Sequence, residues 1–418
     1  MKRRVVITGI GPYTSLGTTK EDLFDSLIKK KYKINEIPKE FCENYNFKSR
    51  FYVPKPEISI NNLSIDKRFN LLMSDSAKLS VLSSYGALKD AKINIFNKDN
   101  KFKSDELEHC NIIIGTGMPN LETAFNSYTS HAFSKELTRT RFNRMVIPIT
   151  MPNSLSAWIS IIFGINNLNY TINASCSSGS YAIGEAYFNI LNNRCEMALA
   201  GGVESLYEEK GSIMRGFDVL GALTKSKDGL PRPFSQERSG FLFNEGAACI
   251  LVLEELELAK RRNAKIYAEI IGFESNSDSY NIVEMNPDGK KIKKIINKLL
   301  SKEIKIDYLN AHGTGTVLND QVEKKIIIDI FGKKDNQPII NSTKGIIGHS
   351  LGASGAIEIA ITAMSIKNSI IHGNLIEKSV DEINLNINSI KKEINYAMST
   401  QYGFGGHNAA ILLKRYIK

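Results

Sequence analysis

The sequence predicts an α/β protein made of two similar halves, and three observations carry that expectation. Short apolar runs bounded by glycine alternate with longer stretches of helical pattern along the whole chain. Two of those runs lead through small-residue turns, one holding Cys176 and the other His349, into helical segments. The length, 418 residues, exceeds what a single small core organises.

Taken in order, the apolar runs at 5–9, 111–115, 170–174, 197–202, 247–253, 266–272, 308–311, 338–342 and 409–413 read as strands. Helical patterns occupy 74–91, 180–191, 321–331 and 355–366. Residues 34–62 are polar, carry Pro38, Pro54 and Pro56 and have no clear period, so they read as irregular surface structure. A soft boundary falls near residue 255, giving halves 1–255 and 256–418. No Pro/Ser linker marks it, so the halves are expected to pack as one body.

Bulk composition narrows the function classes. Hydrophobic residues make up 42% and charged residues 23%, an ordinary globular balance. The formal charge of +10 admits nucleic acid, an anionic surface or an acidic protein as partner. The basic clusters at 29–31, 260–262 and 290–294 lack aromatic interleaving, so each reads as solvated surface, and no nucleic-acid partner is expected. Five scattered cysteines without a CxxC pair argue against a disulfide framework and a structural zinc. No signal peptide opens the chain, and no apolar run reaches the roughly 18 residues of a membrane span. A cytoplasmic location is expected. Gly9-Ile10-Gly11 follows a strand but lacks the third glycine of a dinucleotide fingerprint, and no phosphate-binding P-loop occurs.

Cys176 lies in Asn173-Ala174-Ser175-Cys176-Ser177-Ser178-Gly179-Ser180, between an apolar strand and a helical pattern. A lone cysteine is most often a structural residue. At a helix entrance, unpaired N–H groups and the helix dipole favour the thiolate, and small neighbours leave room for substrate. Cys42, Cys110, Cys195 and Cys249 lack that setting. His312, in Ala311-His312-Gly313-Thr314-Gly315-Thr316, and His349, in Gly348-His349-Ser350-Leu351-Gly352, stand in glycine-rich turns after strands, which expose a side chain to an approaching substrate. His109, His131 and His372 have no comparable surroundings, and His407 is ambiguous. Gly403-Phe404-Gly405-Gly406, between a short strand and the last one, is either a tight turn or a source of N–H groups for an oxyanion. The long spacing of these groups and the absence of a carboxylate cluster disfavour a metal site.

Together with Lys344, Pro231-Arg232-Pro233-Phe234 and Glu245-Gly246-Ala247-Ala248, these motifs resemble the β-ketoacyl-acyl-carrier-protein synthases from end to end. The resemblance implies the thiolase fold, five-layered α-β-α-β-α from two similar halves, normally dimeric. It implies that Cys176 takes an acyl chain from a carrier thioester, and that His312 and His349 promote decarboxylation of malonyl-carrier and stabilise the enolate. It further implies that the N–H groups of Cys176 and Phe404 hold the oxyanion and that Phe404 gates acyl entry. Lys344 is implied to supply positive charge near His349, with Glu323 in the same polar network; a structural ion pair is the alternative for both. Thr314 and Thr316 are implied to bind the pantetheine arm and Met118 to stand by the acyl tunnel. No cofactor is implied beyond the carrier's phosphopantetheine.

Within the family, the sequence leans towards the ketosynthase subunit of dissociated polyketide systems, which pairs with a chain-length factor, over the elongating synthase of fatty acid synthesis. Asn281, where many relatives have histidine, and His407, in place of threonine or phenylalanine, depart from the pattern. An acidic carrier protein would dock on basic residues, for which Arg68, Arg139 and Arg215 are the candidates. Two rivals are weaker. A non-catalytic chain-length partner would lack Cys176, and a thiolase acting on coenzyme A esters would carry a second cysteine near the C-terminus.

Overall fold

The computed structural model describes residues 3–132, 144–301, 303–378 and 380–417. Ten strands form its principal sheet: β1 (Val5–Tyr13), β2 (Cys110–Gly115), β3 (Asn169–Ile172), β4 (Met197–Ser205), β5 (Gly246–Glu255), β6 (Ala268–Ser277), β7 (Tyr308–Asn310), β8 (Ile339–Asn341), β9 (Tyr396–Gly403) and β10 (His407–Lys414). Every residue of β2, β4 and β5 is buried, which is why these strands read as continuous apolar runs. The spatial order is β8-β7-β9-β10-β6-β1-β5-β4-β2-β3.

That order contains the same unit twice. Counting strands within each half from one to five, both halves run 3-2-4-5-1. The first three positions pair in parallel and the last two antiparallel in both. Even the irregularities repeat: β1 breaks register between Ile7 and Gly9, and β6 breaks it between Ile270 and Gly272. The halves join where β1 meets β6 antiparallel over Val5↔Ile270, Val6↔Glu269 and Ile7↔Ala268.

Six helices build the layers: α1 (Asp75–Asp90), α2 (Ser154–Phe163), α3 (Ser178–Leu191), α4 (Lys290–Leu299), α5 (Val317–Phe331) and α6 (Ser354–Asn368). α1 is capped by Ser74, whose side chain accepts the Ala77 N–H, and with α2 it covers the outer face of the first half. α4 and α5 cover the second half. α3 and α6 lie between, each touching strands of both halves, which gives five layers, α-β-α-β-α. Residues 354–366 of α6 are all buried, as befits a helix with sheet on either side. The two central helices approach closely at their N-termini because Gly179 and Gly355 carry no Cβ there. A Cβ on Gly179 would lie 2.8 Å from the Gly352 carbonyl oxygen, and one on Gly355 would lie 2.4 Å from Ser180 Oγ.

Three expectations change. Residues 34–62 are not simply irregular surface. They hold a helix, Lys39–Asn44, and a strand, Phe51–Val53, that pairs with Phe243–Asn244. Val53 is buried there, as are Ile37, Phe41 and Tyr52, which cluster with Phe243 and Leu206 among others. Prolines and polar residues between these anchors hid the pattern. The strand expected over 170–174 ends at Ile172, because the Ala174 N–H turns away to donate to Ser178 Oγ. The strand before the Phe404 turn is eight residues long, not short. Among the described residues, no helix is long and apolar enough to cross a membrane.

Candidate active site

Each central helix is entered through a 3-10 turn, Ser175–Ser177 before α3 and Leu351–Ala353 before α6. Cys176 sits in the first. The preceding Ser175 has φ of +53°, a left-handed conformation that costs a non-glycine residue energy and persists only where surroundings impose it. The Ser178 hydroxyl imposes it here, lying 2.9 Å from the Ala174 N and 2.6 Å from the Ser175 carbonyl oxygen. Because Gly179 and Gly355 let the helices touch, the segment before the second turn brings His349 to the cavity that Cys176 lines. His312 reaches the same cavity from the loop after β7.

This cavity, about 400 Å³, is also lined by Thr314, Thr316 and Phe404. The His312 and His349 rings stand 5.7 Å apart, nearly perpendicular. Phe241 packs edge-on to His349, and Tyr402 packs edge-on to His312. Thr314 and Thr316 point their hydroxyls at one another, 2.9 Å apart. A second, more apolar cavity of about 440 Å³ shares Leu220, Leu351 and Phe404 with the first and extends past Met118, Phe125 and Phe217. Phe404 thus stands between a chamber of mixed lining and a more apolar one.

The thiol differs from expectation. Burial pushes the Cys176 pKa up, and this outweighs the downward pull of the Ser175 hydroxyl, the Lys344 charge and the Phe404 N–H. The resting side chain is a thiol, not a preformed thiolate. Burial likewise holds both histidines well below the usual imidazole range, with Lys344 adding to the effect, so both are neutral at pH 7.

Lys344 is buried, and its charge acts on His349 without a hydrogen bond to it. Its Nζ donates to the His312 carbonyl at 2.9 Å, to Glu358 Oε1 at 2.7 Å and to Gln401 Oε1 at 3.2 Å. Glu323 accepts the N–H groups of His312 and Gly313 at 2.9 and 2.8 Å, and so clamps the backbone that carries His312. Burial raises its pKa to about 7, and that of Glu358 to about 6.

Four partners of this cluster were not read from the sequence. Gln401 bonds His312 Nδ1, and Ser354 Oγ stands 2.9 Å from His349 Nδ1. Glu358 pairs with Lys344. Glu204 accepts the N–H groups of Gly117, Met118 and Gly352 at 2.7, 3.0 and 3.0 Å. Glu358 did leave a signal: it is the one charged residue in the otherwise uncharged stretch 345–366, the mark of a buried carboxylate with a partner.

The docking candidates lie apart from the cluster. Arg68 is exposed and paired with Asp66. Arg215 is paired with Asp218 and with the Asn46 carbonyl. Arg139 lies outside the described residues. Lys225, not among the candidates, is a cation of the cavity wall. Asn281 closes a turn by accepting the N–H groups of Val283 and Glu284. His407 packs on Tyr181, and its carbonyl accepts the Ser177 hydroxyl. Among the described residues, no group of three or more His, Cys, Asp and Glu is arranged to hold a metal ion.

Comparison with known proteins gives the arrangement a family. The chain is 33% identical over 430 residues to a 3-oxoacyl-[acyl-carrier-protein] synthase 1 of Buchnera aphidicola, covering 99% of this chain and all of that one. A crystal structure of a beta-ketoacyl synthase from Burkholderia phymatum superposes with a TM-score of 0.86 at 28% identity, over 99% and 100% of the two chains. A type II polyketide synthase acyl-carrier protein in complex with its ketosynthase bound to the hexaketide has the same fold, with a TM-score of 0.86 at 23% identity and full coverage of both chains. Residues 2–259 match the family profile described as "Beta-ketoacyl synthase, N-terminal domain", and residues 267–376 match "Beta-ketoacyl synthase, C-terminal domain". A cysteine from the first of these segments faces two histidines from the second, and on that matched pair the chain belongs to the beta-ketoacyl synthase family.

Proposed function

We propose that this chain is a β-ketoacyl-acyl-carrier-protein synthase that joins a Cys176-bound acyl chain to malonyl-carrier by decarboxylative Claisen condensation. The observation that carries the reading is the shared cavity: Cys176, His312 and His349 line one chamber that opens past Phe404 into an apolar one. In the first step Cys176 Sγ attacks the acyl thioester, its proton leaves with the pantetheine sulfur, and the acyl chain lies in the apolar cavity beside Met118. Malonyl-pantetheine then enters along Thr314 and Thr316. Its carboxyl-bearing C–C bond breaks, CO2 departs, and the electron pair forms an enolate beside the two histidines. The enolate carbon attacks the acyl carbonyl, the N–H groups of Cys176 and Phe404 hold the oxyanion, and Sγ leaves. Lys344 and Glu323 hold His312 in place. Halves 1–255 and 256–418 thus divide nucleophile from histidines, and no cofactor takes part beyond the carrier's phosphopantetheine.

The pathway assigned is type II polyketide synthesis, with fatty acid elongation by the same chemistry as the second reading; the 33% identity to a 3-oxoacyl-[acyl-carrier-protein] synthase favours the latter. All five cysteines are free, which suits a cytoplasmic enzyme. The partners are an acyl carrier protein, for which Arg68, Arg139 and Arg215 are the docking candidates and Lys225 is a further cation on the cavity wall, and a second subunit, either another copy or a chain-length factor. The open edge of β3, flanked by exposed Met151, Ile161 and Leu168, supports that subunit contact. The opposite edge strand, β8, is covered by the segment around Asn384 and Asn386.

Intact mass spectrometry after incubation with acyl-carrier protein tests the reading. An acyl mass on the wild type and none on Cys176→Ala is expected. No adduct across acetyl to long-chain donors, with a co-expressed partner subunit present, would overturn it. The product of a reaction with malonyl-carrier separates the two pathways.

A further inference from the structure

We propose that Gln401 is a positioning residue that fixes the tautomer of His312, making its Nε2 a proton acceptor beside a His349 whose Nε2 is a donor. The chemical consequence rests on the condensing reading above, but the tautomers do not.

Gln401 lies between two charged groups that admit only one orientation of its amide. Lys344 Nζ has only donors and stands 3.2 Å from Oε1. The Glu358 carboxylate has only acceptors and receives the amide N–H. Turning the amide over would set its N–H groups against an ammonium and its oxygen against a carboxylate. The oxygen is therefore fixed, and it is this oxygen that lies 2.9 Å from His312 Nδ1. An amide oxygen cannot donate, so Nδ1 must carry the hydrogen. A neutral imidazole has one N–H, and burial with the nearby Lys344 charge keeps this ring neutral. The lone pair is left at Nε2.

His349 is set the other way. Its Nδ1 lies 2.9 Å from Ser354 Oγ, which already accepts the Ser350 N–H at 3.0 Å. The hydroxyl has one proton to give. Nδ1 is a closer acceptor than Ser350 Oγ, which stands at 3.3 Å. With Nδ1 accepting, the ring N–H is at Nε2.

The cavity thus offers one acceptor and one donor. His349 Nε2–H suits the enolate oxygen. His312 Nε2 suits the Cys176 thiol: it takes the Sγ proton as the S–C(acyl) bond forms, and returns it to the pantetheine sulfur as the old C–S bond breaks. Lys344 disfavours a lasting imidazolium, so the proton is passed on.

The test is histidine-selective ¹⁵N NMR of the wild type without substrate, with His312 assigned by its loss in His312→Gln. A protonated-type signal at Nδ1 and an unprotonated-type signal at Nε2 are expected for His312, and the reverse for His349. Gln401→Leu should release the His312 preference and slow Cys176 acylation by a small acyl thioester about tenfold at saturation, with KM within about twofold. Gln401→Glu, which restores an acceptor, should recover the Nδ1–H signal and part of the rate. An Nε2–H signal for His312 in the wild type would overturn the inference, as would an unchanged tautomer in Gln401→Leu. Either result alongside normal acyl loading of Cys176 would leave the condensing reading standing. Failure of loading with the expected tautomers would remove that reading alone.

Discussion

The two turns that enter the central helices have nearly the same backbone and opposite fates. Ser175 and Leu351 both take positive φ, +53° and +42°. The Ser178 and Ser354 hydroxyls accept the N–H four residues back, at 2.9 and 3.0 Å. Gly179 and Gly355 follow and let the helices touch. At the reactive position, however, one turn has Cys176 and the other Gly352. The Gly352 N–H is taken by Glu204, which also takes those of Gly117 and Met118. The Cys176 N–H has no protein acceptor among the described residues. One turn keeps its N–H unengaged, while its twin is filled with a carboxylate and locked. A strained helix entrance is therefore a scaffold, and chemistry has room only where its N–H is left unengaged.

Five substitutions would break or sharpen this contrast. Cys176→Ala should cut condensation by at least about 10³-fold, the scale of nucleophile removal, with little change in unfolding by urea. Gly352→Ala should do the reverse. Its Cβ would lie 2.6 Å from Gly117 N and 2.7 Å from Thr116 Cα, so stability should fall by about 2–3 kcal/mol in urea titrations. A fully stable Gly352→Ala would show that the second turn is not locked.

Glu204→Gln should cost about 1–3 kcal/mol, because one amide oxygen cannot serve all the N–H groups that the carboxylate serves. It should also change the pH profile. Burial raises the Glu204 pKa to about 7. Between the ordinary glutamate range and that value the folded state holds a proton that the unfolded state has lost. Wild-type stability therefore falls as pH rises through this window, and its lead over Glu204→Gln should narrow there. A lead independent of pH would mean that Glu204 does not titrate in the window. Smallest is the serine pair. Ser178→Ala and Ser354→Ala should each cost about 1 kcal/mol of stability. Ser354→Ala alone should also change the pH profile of malonyl decarboxylation, since only that hydroxyl holds a histidine ring. Equal kinetic effects would remove this distinction.

Much of this was legible in the sequence because strand ends and glycine-rich turns leave strong marks. Cys176, His312 and His349 each stand in such a turn, and the repeated strand-to-helix junction pointed to two similar halves. What stayed hidden lies inside regular elements. Gln401 is the sixth residue of β9, and Ser354 and Glu358 belong to a helix buried from 354 to 366, where the lone charge of Glu358 is the one mark the sequence displays. Their roles depend on groups distant in the chain: Gln401 meets His312 across 89 positions, and Glu204 meets Gly352 across 148. The direction of the thiol's pKa was misread for the same reason. The helix entrance was visible, but the burial that outweighs it comes from the assembled halves.

The seam between β1 and β6 also sets a timetable. Synthesis delivers Cys176 with the first half, and domains tend to fold as units from the N-terminus. The Phe404 amide and the Lys344 charge, which draw the thiol towards reactivity, arrive only with the second half. Both histidines arrive with it as well. A ribosome-bound chain that has finished its first half therefore holds a cysteine without its activating partners. On the reading proposed above, a half-made chain that took up an acyl group could not extend it, because His312 and His349 are still to come.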